Sequence, residues 1–208
     1  MNVKICGVTC VEDARMIAEA GADLIGINFW PGSKRHVSLP RAEAIAEAAR
    51  EVNEDIEIVG VFVNQSPIEI RYIVDNAELD YVQLHGDEPA MRVEEFGEAA
   101  IKAVPLATES DVARVGDFPC DIVLVDSPSE GYGGSGRVAS WTLAHMAASS
   151  SGKHIILAGG LDPDNVVRAI SEVAPWGVDV ASGVESAPGR KDAALVKRFI
   201  ERAKGQGL

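Results

Sequence analysis

Short apolar runs and amphipathic stretches alternate eight times along this chain, and that alternation limits the available folds more than any other feature. The runs are VKICG (3–7), DLIGINF (23–29), EIVGVFVN (57–64), DYVQLHG (80–86), AAIKAVPL (99–106), DIVLVD (121–126), HIILAGGL (154–161) and WGVDVASG (176–183). They are rich in β-branched residues and almost unbroken in hydrophobicity, which predicts parallel strands covered by helices on their outer side. Between them, VEDARMIAEAGA, PRAEAIAEAAREV, PIEIRYIVDNA and PDNVVRAISEVA space their apolar residues by three and four, as helices do. Pro40, Pro67 and Pro163 suit the first turn of a helix, and Ser66 and Asp162 suit N-caps. Eight such pairs in 208 residues predict an α/β fold, a compact single-domain (β/α)8 TIM barrel spanning 1–208. A doubly wound open sheet is the alternative.

Composition excludes several partners. A formal net charge of −13 argues against nucleic acid and anionic membrane, both of which are bound through basic surface. No apolar run approaches the roughly 20 residues of a membrane helix, and the first residues lack the order of a signal peptide, so a cytoplasmic protein is expected. Three cysteines (Cys6, Cys10, Cys120) are an odd and sparse set, which predicts reduced thiols. The acidic excess, with 12 Arg against 7 Lys, would also suit a salty interior, where charge is strongly screened.

In a barrel of this kind the site lies at the C-terminal ends of the strands and in the loops that follow. Those ends offer one thiol (Cys6), one imidazole (His85), one carboxylate (Asp126) and small-residue pairs on strands 7 and 8 (Gly159-Gly160, Ser182-Gly183). Glycines let backbone N–H groups approach an anion closely, so the two pairs predict a phosphate site; tight turns are the plain alternative. The Gly-rich loop SPSEGYGGSGRVASW (127–141), with Gly134 near its centre, predicts a cover over the ligand. Read alone, Cys6 fits a small buried plug better than a reactive thiol. A metal site would need ligands that Cys6 and Cys10 do not supply. His36, His145 and His154 read as structural or surface residues, and Cys10 and Cys120 as incidental. Alternation along strand 1 puts Lys4 and Cys6 on one face, and on the adjoining strand 8 Asp179 shares a face with Ala181. A buried contact between Lys4 and Asp179 follows, with Lys4 available to favour a Cys6 thiolate.

KICGVT (4–9), FWPGSKRHVS (29–38), VGVFVN (59–64), VQLHGDE (82–88), VDS with GGSG (125–136), LAGGLDPDNV (157–166) and DVASGVE (179–185) together resemble the phosphoribosylanthranilate isomerase family of tryptophan biosynthesis. The resemblance covers the whole chain. It implies an Amadori rearrangement of N-(5-phosphoribosyl)anthranilate to 1-(2-carboxyphenylamino)-1-deoxyribulose 5-phosphate, without cofactor or metal, by a monomer or homodimer. It also implies that Cys6 is the general base and Asp126 the general acid, and that Arg35 binds the anthranilate carboxylate. Alternation along strand 4 turns His85 toward the pocket with Gln83, where a supporting role and a structural one are both open. The family's Phe-Asp before the tryptophan is replaced here by Ala139-Ser140 before Trp141, which puts the anchoring of that loop in question. Two rival readings are a sister sugar-phosphate barrel enzyme and a non-catalytic phosphate-binding barrel. The carboxylate pair or the catalytic lysines that such sister enzymes use have no counterpart where this chain has Cys6 and Asp126.

Overall fold

The computed structural model describes residues 1–126 and 140–205. Eight parallel strands close into a barrel in sequence order: β1 (Asn2–Cys6), β2 (Leu24–Asn28), β3 (Glu57–Phe62), β4 (Tyr81–Leu84), β5 (Ala100–Pro105), β6 (Ile122–Asp126), β7 (His154–Leu157) and β8 (Gly177–Val180). The last strand pairs with the first, Lys4 against Asp179 and Ile5 against Val180, so the open-sheet alternative is excluded. The helices are α1 (Val11–Glu19), α2 (Leu39–Arg50), α3 (Pro67–Ala77), α4 (Ala90–Glu94), α5 (Glu109–Val115), α6 (Trp141–Ser150), α7 (Val166–Val173) and α8 (Ala193–Ala203). A hairpin of β9 (Glu185–Ala187) and β10 (Arg190–Lys191) stands between β8 and α8.

Strand alternation divides the core in two. Leu24, Val59, Ile101, Leu124 and Ile156 fill the barrel interior, while Val3, Ile5, Ile58, Phe62, Leu84 and Val123 pack outward against the helices. The interior layer also contains Lys4, Gln83 and Asp179, polar groups placed just below the mouth. Most local expectations hold. Pro67 opens α3 behind Ser66, whose hydroxyl accepts from the Glu69 amide at 3.2 Å, and Pro40 sits in the first turn of α2. Pro163 is a correction, because it lies in a turn ahead of α7 instead of in its first turn, and Asn165 is the N-cap. Asp162 organises that turn, accepting from the Asp164 and Asn165 amides at 2.7 and 2.9 Å. At the start of α6, Ser140 caps the helix by accepting from Leu143 N, so the substituted position still ends the loop in a capped helix.

Candidate active site

The strand ends converge on a cavity of about 360 Å³ at the C-terminal mouth of the barrel, lined by Cys6, Arg35, His85, Asp126, Gly159, Gly160 and Ser182 among others. The fold thus brings together residues up to 176 positions apart in the chain.

Cys6 ends β1, and its surroundings are electrostatic. Lys4, two residues below on the same face and without solvent exposure, donates to Asp179 Oδ1 at 2.9 Å, as expected. Burial alone would pull the Lys4 ammonium down, but Asp179 and the Cys6 sulfur outweigh it and leave Lys4 firmly charged. For Cys6 the balance goes the other way. Burial pushes the thiol up, Lys4 and Lys191 draw it down, Asp179 pushes it up again, and the net shift is upward. The room for this arrangement comes from β2, since a Cβ on Gly26 would lie 2.7 Å from Cys6 Sγ and 3.1 Å from Lys4 Nζ. Gly7, with φ +75°, lets the aliphatic stem of Arg35 cross the end of β1, because a Cβ there would stand 2.3 Å from Arg35 Cδ.

Arg35 lines the cavity, but two of its nitrogens are engaged. Nε and Nη2 donate to the two oxygens of Glu185 at 2.8 and 2.7 Å, a bidentate pair with Glu185 almost fully buried. Burial would raise the Glu185 carboxyl, but Arg35 and Lys191 together hold it below the usual carboxylate range. Across the mouth, His85 Nε2 stands 3.8 Å from Asp126 Oδ2, and Gln83 Nε2 is 2.7 Å from His85 Nδ1. Burial, reinforced by Lys4, lowers His85 to about 4, so the imidazole is neutral at pH 7. With Gln83 donating to Nδ1, the ring proton sits on Nε2, facing Asp126. Behind this wall Lys102 and Glu88 form a buried pair at 2.9 Å; the ammonium also donates to the carbonyls of Leu84 and Gly86, holding the loop that carries His85.

Gly159 and Gly160 adopt φ of +89° and +66°, conformations that turn β7's end back on itself and that side chains resist. Asn165 pins the turn by donating to Gly160 O at 2.9 Å. Gly183 follows Ser182 in the turn after β8 and is not among the residues lining the cavity. Its missing Cβ lets the turn after β8 pack on the turn after β7, since a methyl there would lie 2.0 Å from Leu161 O. Gly134 and the loop around it lie outside the described residues. Sequence reasoning did not single out Glu185, Lys191, Lys102 or Glu88; the available signal was that Glu88, Glu185 and Lys191 follow the C-terminal ends of strands 4 and 8, and that Lys102 is a charge inside the apolar run of strand 5.

Among the described residues no cluster of His, Cys, Asp and Glu could hold a metal ion, and no helix is long and apolar enough to cross a membrane. The chain matches the family described as N-(5'-phosphoribosyl)anthranilate (PRA) isomerase over residues 3–202. It is 44% identical to N-(5'-phosphoribosyl)anthranilate isomerase of Thermotoga neapolitana, with 99% of both chains covered. The crystal structure of phosphoribosyl anthranilate isomerase from Thermotoga maritima superposes with a TM-score of 0.88 at 40% identity, covering 99% of both chains. A structure of that enzyme type in complex with reduced 1-(o-carboxyphenylamino)-1-deoxyribulose 5-phosphate superposes at 0.83 and 38% identity, again over 99% of both. On the closed eightfold barrel, the composition of its mouth and matches that run end to end, this chain belongs to the phosphoribosylanthranilate isomerase family.

Proposed function

We propose that Cys6 and Asp126 carry out the family's Amadori rearrangement in this chain, as general base and general acid. The observation that supports it is one cavity in which a thiol, a carboxyl group, a glycine-walled turn and a guanidinium surround the same space. The phosphate of N-(5-phosphoribosyl)anthranilate binds at Gly159, Gly160 and Ser182, where the turned backbone admits an anion without a side chain intervening. The anthranilate carboxylate lies toward Arg35.

Protonated Asp126 gives its proton to the furanose oxygen as the C1–O bond breaks, and the nitrogen lone pair forms the Schiff base. The Cys6 thiolate then takes the proton from C2, and the electron pair of that C–H bond becomes the C1–C2 double bond of an enolamine. Return of the thiol proton to C1 and of the enol proton to the Asp126 carboxylate gives the aminoketose and resets both groups. A raised thiol fits this sequence, because the Schiff base is itself a cation beside Cys6 and favours the thiolate when it is needed. His85, neutral and with its Nε2–H toward Asp126, stabilises the carboxylate that forms on proton release.

We place this reaction in the cytoplasm, on a small phosphorylated substrate, in a monomer or homodimer; the relative from Thermotoga maritima is described as dimeric. The test is loss of fluorescence of freshly prepared phosphoribosylanthranilate. Wild-type protein turns it over, while Cys6→Ser and Asp126→Asn lose about 10²–10⁴-fold in kcat, the range of a general acid or base. Full activity in both variants would defeat the assignment.

A further inference from the structure

Lys191 is the one member of the PGRKD segment (188–192) whose side chain is wholly buried beside the site, and the roles given to Cys6, Asp126 and Arg35 leave it unused. Its hairpin is firmly seated. Thr9 Oγ1 donates to Gly189 O at 2.6 Å, and Lys191 N donates to Asp13 Oδ2 at 2.9 Å, tying the hairpin to the loop after β1 and to α1. The ammonium has three donors and three acceptors: Cys6 O at 2.6 Å, Ala181 O at 3.0 Å and Glu185 Oε1 at 2.9 Å.

Each acceptor leads to a different part of the site. Cys6 and Ala181 sit one residue beyond the last paired positions of β1 and β8, Ile5 against Val180, so Lys191 joins the two strands where their ladder stops. Glu185 Oε1 is shared between Lys191 and Arg35 Nε, which makes the orientation of the guanidinium depend on the same ammonium. A buried cation costs desolvation that an apolar side chain of equal volume would avoid, so simple filling does not account for a lysine here. We propose that Lys191 is a positioning residue whose ammonium sets the Cys6 thiol and the Arg35 guanidinium in register, one at the reacting carbon and the other at the anthranilate carboxylate. The proposal rests on Cys6 as base and Arg35 as carboxylate anchor. The ammonium also adds positive charge near the thiol, together with Lys4 on β1 and Arg35 after β2, against Asp179 on β8 and Glu185 on β9.

The test uses the full chain with Lys191→Met and Lys191→Gln, reading melting temperature, kcat, KM and the pH dependence of iodoacetamide alkylation at Cys6 by peptide mass spectrometry. In Lys191→Met, kcat/KM falls about 100-fold, with KM rising as well as kcat falling, as expected when reacting groups shift by about 1 Å. The alkylation midpoint moves up by about one pH unit, about tenfold slower at a fixed pH below it. Lys191→Gln keeps a donor for the carbonyls without the charge, so it recovers KM in part while keeping the raised midpoint. A folded Lys191→Met with wild-type KM and an unshifted midpoint overturns the proposal, as does a loss of rate that follows melting temperature alone. If Lys191→Met does not fold, Lys191→Gln decides by the same midpoint and kcat, and unaltered values overturn it. Cys6→Ser separates the two levels: full activity there sinks the assignment of the base whatever the Lys191 variants do.

Discussion

Replacing Lys4 with Met tests whether the charge below the thiol matters to the fold and to the chemistry separately. Lys4 has no solvent exposure and Asp179 has 11%, with 2.9 Å between their charged atoms. Removing the cation leaves Asp179 as an uncompensated charge in the barrel interior, a loss of about 3–5 kcal/mol for breaking a buried pair. In a domain of this length each kcal/mol moves the melting temperature by about 2–4 °C, so Lys4→Met melts about 10 °C lower. Adding Asp179→Leu removes the orphaned carboxylate, and an apolar pair of similar volume is close to neutral, so the double variant regains most of that stability. Activity returns only in part. Both variants lack the cation nearest the thiol, and one unit of thiol pKa is tenfold in thiolate below the midpoint, so kcat falls about tenfold or more in the single variant, while in the double variant the loss of Asp179, which pushes the thiol up, offsets part of that fall. Differential scanning calorimetry and the fluorescence assay read the two effects independently. A single variant melting within about 2 °C of wild type, or a double variant with fully restored kcat, would refute the reasoning.

His85 gives a pH prediction with a definite sign. Its folded value of about 4 lies below the unfolded value of about 6.5, so between those limits the unfolded chain binds more protons and stability is lost as pH falls. The loss is about 3 kcal/mol from pH 7 to pH 4 relative to His85→Gln, read from paired melts; parallel pH curves for the two proteins would show the imidazole is not buried neutral. Gly183→Ala drives a methyl against Leu161 O and so displaces the turn after β7. Inhibition by inorganic phosphate then weakens about tenfold, the cost of roughly 1.4 kcal/mol at an anion site, and unchanged inhibition would detach Gly183 from that site.

How much of this was legible in the sequence depended on whether the signal was local. Each strand carries its own apolar run, and alternation along VKICG was enough to place Lys4 beneath Cys6 and, with closure, opposite Asp179. Strand 7 was read four residues too long, since HIILAGGL stays apolar while the backbone turns at Gly159 and Gly160 with positive φ. Glu185 and Lys191 were missed for a different reason. Their importance comes from a hairpin that folds back over the β8–β1 seam, and two charged residues in a loop read as solvated until that return is known. Arg35 was found, but its pairing with Glu185, 150 residues away, leaves no trace in either stretch.

The net charge of −13 and a phosphorylated, carboxylated substrate set a further problem, which the site resolves locally. Lys4 and Asp179 cancel, and Arg35 and Lys191 against Glu185 leave about one positive charge at the carboxylate end. At the proposed phosphate end the cavity wall is turned backbone, where an anion would be held by N–H dipoles that are short in range. The approach of the substrate is therefore governed by the acidic surface, and its retention by contacts too close for salt to screen. Raising ionic strength with a non-binding salt from about 0.01 M to about 0.15 M shortens the screening length from about 30 to about 8 Å, which weakens the repulsion and spares the contacts. For this enzyme kcat/KM rises over that range, whereas a site that steered its anion by a basic surface would lose rate steadily. Stopped-flow measurement at limiting substrate distinguishes the two slopes, and a steady fall would mean that Arg35 and the ammonium groups extend their field well beyond the mouth.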